Sequence, residues 1–104
     1  MELKLSKEEK QLLNLLPKGS ERPRPGRELA SLTGLSARKV YEIISRLIVV
    51  YKKPIGAVRQ HPGNGYFIIT NDRERQQALG PLKSQIAMMN KRAQIIGNAD
   101  LSKE

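Results

Sequence analysis

The chain predicts a mainly α fold with a small β-hairpin, an α+β arrangement of short helices, one hairpin and a long C-terminal helix. Two observations carry this. Apolar residues recur at helical spacing through residues 6–49, and again from Leu79 to Ile96. Between these stretches the period changes: β-branched and aromatic residues appear, interrupted by Pro54, Gly56 and the turn-rich "HPGNG" at 61–65. At 104 residues the length is that of one domain. It suits a modest core but not a deep cleft and a second lobe.

Helix one is expected over residues 6–16. Ser6-x-x-Glu9 is a capping-box pattern, Leu12, Leu13, Leu15 and Leu16 form an apolar stripe, and Pro17 disfavours helical geometry in the residue before it. "PKGSERPRPG", 17–26, reads as a loop, held extended by Pro23 and Pro25. A short helix two follows over 26–33, with Leu29, Ala30 and Leu32 inward and Gly34 placed for a left-handed cap. Ser36 is a good N-cap for helix three, 37–49. At 100° per residue Val40, Ile43, Ile44 and Leu47 share its inner face, with Ile48 at the edge. Arg38, Glu42 and Ser45 point the other way, flanked by Lys39, Tyr41 and Arg46.

Tyr66 to Thr70 predicts a strand, with its partner near Ala57 to Gln60 and Asn64-Gly65 as the hairpin signal. Of Tyr66 and Phe67, one should be buried and the other exposed; Tyr41 is expected to pack against helix two or the hairpin. Asn71-x-x-Glu74 then opens a helix across 71–97, kinked or restarted at Gly80-Pro81. Along it Leu79, Leu82, Ile86, Met89, Ala93 and Ile96 follow a 3-4-3-4-3 spacing, a short coiled-coil seam. Residues 1–70 thus form one unit, 71–97 a C-terminal helix, and 98–104 a flexible tail.

There are no cysteines, which excludes disulfides and thiolate chemistry. His61 is the only histidine, so no zinc site is expected. No paired carboxylates, nucleophile–base pair or phosphate-cradling glycine loop is readable; neither an enzyme nor a cofactor is expected. The N-terminus is charged and the longest apolar run, Leu47 to Tyr51, is too short to span a bilayer, so a cytoplasmic protein with no membrane partner is expected. The charge is informative: 19 basic against 10 acidic side chains, a net +9. Ten of the basic residues and three of the acidic ones lie between Pro17 and His61, which leaves +7 in that segment and +2 elsewhere. Such concentration points to a polyanion, nucleic acid first.

Two helices joined by Thr33-Gly34-Leu35-Ser36 and followed at once by a hairpin resemble the winged helix-turn-helix family. Arg27, Glu28, Leu29 and Ala30 on helix two, Arg38, Val40, Ile44 and Leu47 down helix three, and "GYFIIT" as the wing's return strand carry the resemblance over residues 6–70. More narrowly, "KPIGA…GYFIITND" before a basic helix is similar to small winged-helix proteins of phages and prophages, which serve in regulation or replication. The family's extra strand between helices one and two has "ERPRPG" in its slot, so a two-stranded wing with at most a vestigial third strand is expected.

The resemblance implies double-stranded DNA binding, by a phage-type transcription regulator or a replication-origin-binding protein. Helix three has the diameter to enter a major groove. Arg38 in its first turn would meet a base edge or a phosphate, with Glu42 on the same face. Ser36 and the helix-start amides would hold a phosphate. Lys39, Arg46, Lys52 and Lys53 suit phosphates, Arg27 lies beside them on helix two, and Arg59 and His61 at the wing would meet the neighbouring minor groove or its backbone. The Leu79–Ile96 seam packs on its own domain or on a second copy, the homodimer being favoured. The alternative function is a protein-interaction module, the winged helix serving as a scaffold that binds or inhibits a host replication or transcription protein. The apolar seam and Glu42 amid the reading face motivate it.

Overall fold

A computed structural model describes residues 4–60 and 63–102. Its order is α1 (Lys7–Leu15), α2 (Gly26–Thr33), α3 (Ala37–Val49), β1 (Ile55–Val58), β2 (Gly65–Ile68) and α4 (Asp72–Gly97). The fold is mainly helical with one antiparallel hairpin, as the periodicity predicts.

The local signals act as expected in the first three helices. At α1 the Glu9 N–H donates to Ser6 Oγ at 3.1 Å and the Ser6 N–H donates to Glu9 Oε1 at 2.8 Å, a reciprocal cap. Leu16 is already extended, ahead of Pro17. Gly34 closes α2 at φ 77°, a left-handed position suited to glycine. Ser36 Oγ caps α3 by accepting the Lys39 N–H at 3.0 Å.

Leu12, Leu16, Leu29, Val40, Ile43, Ile44, Leu47 and Ile55 form a buried cluster where α1, α2 and α3 meet the hairpin. Leu32 departs from expectation, being half exposed. The inner face of α2 is made by Gly26, Leu29, Ala30 and Thr33, and Leu32 lies about 100° round from its centre.

Register runs from Ile55↔Ile68 to Val58↔Gly65, so each strand begins earlier than the sequence suggests. Asn64-Gly65 is not a two-residue turn, because Gly65 pairs with Val58 and opens β2. The glycine answers a different need. At φ 149° its missing Cβ makes room for the Arg24 carbonyl and the Pro25 nitrogen, both closer than 3.0 Å to where that atom would sit. The expected vestigial third strand takes the form of two pairing points on the outer edge of β2. Ile68 and Pro17–Gly19 exchange bonds of 2.7 and 2.8 Å, and Tyr66 and Arg24 exchange bonds of 2.8 and 3.0 Å.

The hairpin is covered on both faces. Ile55, Tyr66 and Ile68 pack toward the helical cluster. Phe67, fully buried, lies on the other face over Gly56, where a Cβ would sit 2.7 Å from the Phe67 ring and 3.1 Å from Ala78 of α4. Both aromatic residues therefore pack, Tyr66 being half-buried rather than exposed.

Asn71 Oδ1 caps α4 by accepting the Glu74 N–H at 2.8 Å. The helix then runs through Gly80-Pro81 as one element, without a restart. Gly80 has no Cβ to clash with the proline ring, and Gln77, whose carbonyl loses its partner, is exposed to water. From Gly80 onward every described residue of α4 is exposed. The chain measures 54 × 31 × 30 Å, the long dimension reflecting this projecting helix.

Candidate nucleic-acid interface

α3 divides into four sectors. Its inner face is the buried set Val40, Ile43, Ile44 and Leu47. Opposite lie Arg38, Glu42, Ser45 and Val49, all exposed. One flank, with Tyr41 and Ile48, turns to the hairpin and α4; the other, with Lys39 and Arg46, turns to α1.

Charge does not fall evenly on these sectors. Arg38 Nε lies 3.5 Å from Glu42 Oε1, one turn along. Both side chains are open to solvent, so the pair is weak and Arg38 can exchange its carboxylate for another anion. The outward sector as a whole is electrically balanced.

Arg46 stands apart from the role expected for it. Its Nε sits 2.9 Å from Glu9 Oε2, and that carboxylate is buried. Tyr51 completes the cluster. Its hydroxyl lies 3.2 Å from Glu9 Oε1 and 3.1 Å from the Lys4 carbonyl, and the guanidinium sits over its ring at 5.8 Å from the centroid. The Ser6 backbone N–H above all holds the Glu9 carboxyl below its ordinary 4.5, against the opposing effect of burial. Arg46 therefore clamps α3 to α1 instead of standing free for phosphate. Its partner is far away in sequence, a pairing that neither the capping box nor the helical wheel encodes.

The remaining expected residues are less constrained. Arg27, Lys39, Lys52, Lys53 and Arg59 have no carboxylate within 4.0 Å among the described residues. Lys52 adopts a left-handed conformation at φ 59°, and its ammonium donates to the Val49 carbonyl at 2.8 Å, closing the end of α3. Ser36 is exposed, with its oxygen already engaged by the helix start. His61 lies outside the described residues.

The hairpin root and α3 border an open cleft of about 640 Å³, lined by Tyr41, Ile44 and Ile48 from α3, Arg59 and Tyr66 from the hairpin, and Leu82 from α4. Tyr41, expected to pack, is 66 % exposed beside it. A buried carboxylate also escaped the sequence reading of the site: Glu74 accepts the Thr70 N–H, the Thr70 hydroxyl and the Ser20 N–H, each at 2.8 Å. The Thr70 and then the Ser20 amide bonds hold its pKa at about 2, against an ordinary 4.5. It ties the start of α4 to the end of the hairpin and to the 17–26 loop.

Among the described residues no group of three His, Cys, Asp or Glu side chains could hold a metal ion, and no helix is long and apolar enough to cross a membrane. Comparison with family models, with curated proteins and with solved structures gives no match for this chain.

Proposed function

We propose that this chain is a winged helix-turn-helix protein that binds double-stranded DNA, with α3 entering the major groove and the hairpin serving as wing, in a phage-type transcription regulator or replication-origin-binding protein. The observation that carries the reading is a group of cations with no carboxylate within 4.0 Å among the described residues: Arg27 on α2, Lys39 on α3, Lys52 and Lys53 in the connection to the hairpin, and Arg59 just after β1. The helix–turn–helix order closed by Gly34 and followed by the hairpin supports it. In this reading Arg38 reads a base edge after releasing Glu42, these cations position the chain on phosphates, and Arg46 holds α3 at its angle to α1.

Selection of bound sequences from a random duplex pool, followed by titration of the winner, tests the proposal. A defined sequence should emerge. Arg38→Ala should relax preference at one position by about 1–3 kcal/mol of discrimination. Lys39→Ala should weaken all duplexes alike. Failure to enrich any duplex, or a selected duplex whose preference and affinity neither variant changes, would overturn it.

The balanced outward sector favours a second reading, a module that binds or inhibits a replication or transcription protein. Arg38 and Glu42 neutralise each other there, and Val49 and Tyr41 are exposed. Under that reading Val49→Asp abolishes capture of a partner that survives nuclease treatment, while the cation variants leave it intact.

A further inference from the structure

Along its C-terminal half α4 is exposed all round among the described residues. Residues 80–97 make up more than half of a helix about 39 Å long at 1.5 Å per residue. In folded proteins most helical stability comes from packing of an apolar face. Yet Leu82, Ile86, Met88, Met89, Ile95 and Ile96 are 46–68 % exposed on it. The cleft at its root is also open, with Tyr41 and Ile48 across from Leu82.

We propose that α4 pairs antiparallel with α4 of a second copy of this chain. The observations single out that occupant in three ways. Leu79, Ile86 and Ala93 fall at a positions and Leu82, Met89 and Ile96 at d positions, so the stripe is a self-complementary coiled-coil seam. An antiparallel pairing sets Leu79 against the second copy's Ile96, Leu82 against its Ala93, and Ile86 against its Met89. The charges agree with this register. The flanking e and g positions hold Lys83, Gln85, Asn90 and Arg92, and here Lys83 faces an Asn90 and Arg92 faces a Gln85, so no two cations oppose each other.

The cleft decides the direction. Pro81, Leu82 and Gln85 border it, on the side of α4 where Met88 and Ile95 widen the stripe. Run antiparallel, each helix brings its Ile95 and Ile96 to the root of the other and covers the Tyr41–Ile48 cleft. Run parallel, each Leu82 meets its own counterpart, and Ile95 and Ile96 lie at the far tip, away from either cleft. One two-fold contact thus covers both apolar surfaces, and it does so whatever α3 binds.

Sedimentation equilibrium of the full chain should give twice the 11.7 kDa of one copy. Ile86→Asp with Met89→Asp should halve that mass while the thermal transition of the α1–α3 core persists. The chain lacks cysteine, so cross-linking reports direction directly. Leu82→Cys and Ala93→Cys chains, mixed and oxidised, should couple to each other, whereas Ala93→Cys alone should not couple to itself. A wild-type chain that sediments as one copy at its highest soluble concentration, a double-Asp variant that keeps the doubled mass, or efficient self-coupling of Ala93→Cys would each overturn the proposal.

Discussion

Gly65 and Glu74 show how single residues hold the hairpin in place. Arg24 and Pro25 lie against the backbone at Gly65, where a methyl group would meet main chain instead of a side chain that could turn aside. Gly65→Ala should therefore lower stability by about 2 kcal/mol or more, measured by urea unfolding, since backbone strain adds to the clash. Glu74 acts through its charge. Its pKa of about 2 in the fold lies below the ordinary 4.5, so its ionised form is favoured by folding. That contribution is complete above about pH 4.5 and fades as the pH falls toward 2. Glu9, also depressed, acts in the same direction. The thermal midpoint of the wild type should fall steeply over this window, and Glu74→Gln should lower it at neutral pH and flatten the descent; an unaltered profile would contradict this role. Phe67, sealed between the hairpin and α4, should cost about 3–5 kcal/mol on truncation to Ala.

Among the elements, α3 shows where local pattern suffices and where it does not. Substitution separates its two kinds of cation. Arg46→Ala should lower the melting temperature, because Glu9 stays buried without its guanidinium. Lys39→Ala should leave the melting temperature nearly unchanged, since its side chain has no carboxylate partner among the described residues. The inner face of α3, its Ser36 cap and the Gly34 stop were legible in the sequence because each depends on neighbours within four residues. The Arg46–Glu9–Tyr51 cluster was not, because it joins three segments that only the packed fold brings together. The hairpin register was misplaced for a related reason. Asn64-Gly65 carries a local turn signal, but the approach of Arg24 and the covering of Phe67 by α4 determine where the strands pair. Gly80-Pro81 likewise reads as a kink or a restart, although a glycine before the proline and water on the outside allow the helix to continue.

At the scale of the whole molecule, shape and charge point outward. The radius of gyration is 17.2 Å, against about 13 Å for a compact domain of this length, because α4 projects from the body. The net charge of +9 is concentrated before that helix, in the segment that holds α2, α3 and the hairpin. A polyanion meeting this body releases counterions in proportion to the phosphates neutralised. The most direct test of the central claim is the affinity of the selected duplex measured over a series of salt concentrations, for the wild type and for Lys39→Ala and Arg59→Ala. With Arg27, Lys39, Lys52, Lys53 and Arg59 engaged, the log–log slope should be about −4.5, and each variant should make it shallower by about 0.9. A slope near zero, or one that neither substitution changes, would contradict duplex binding through α3 and the hairpin.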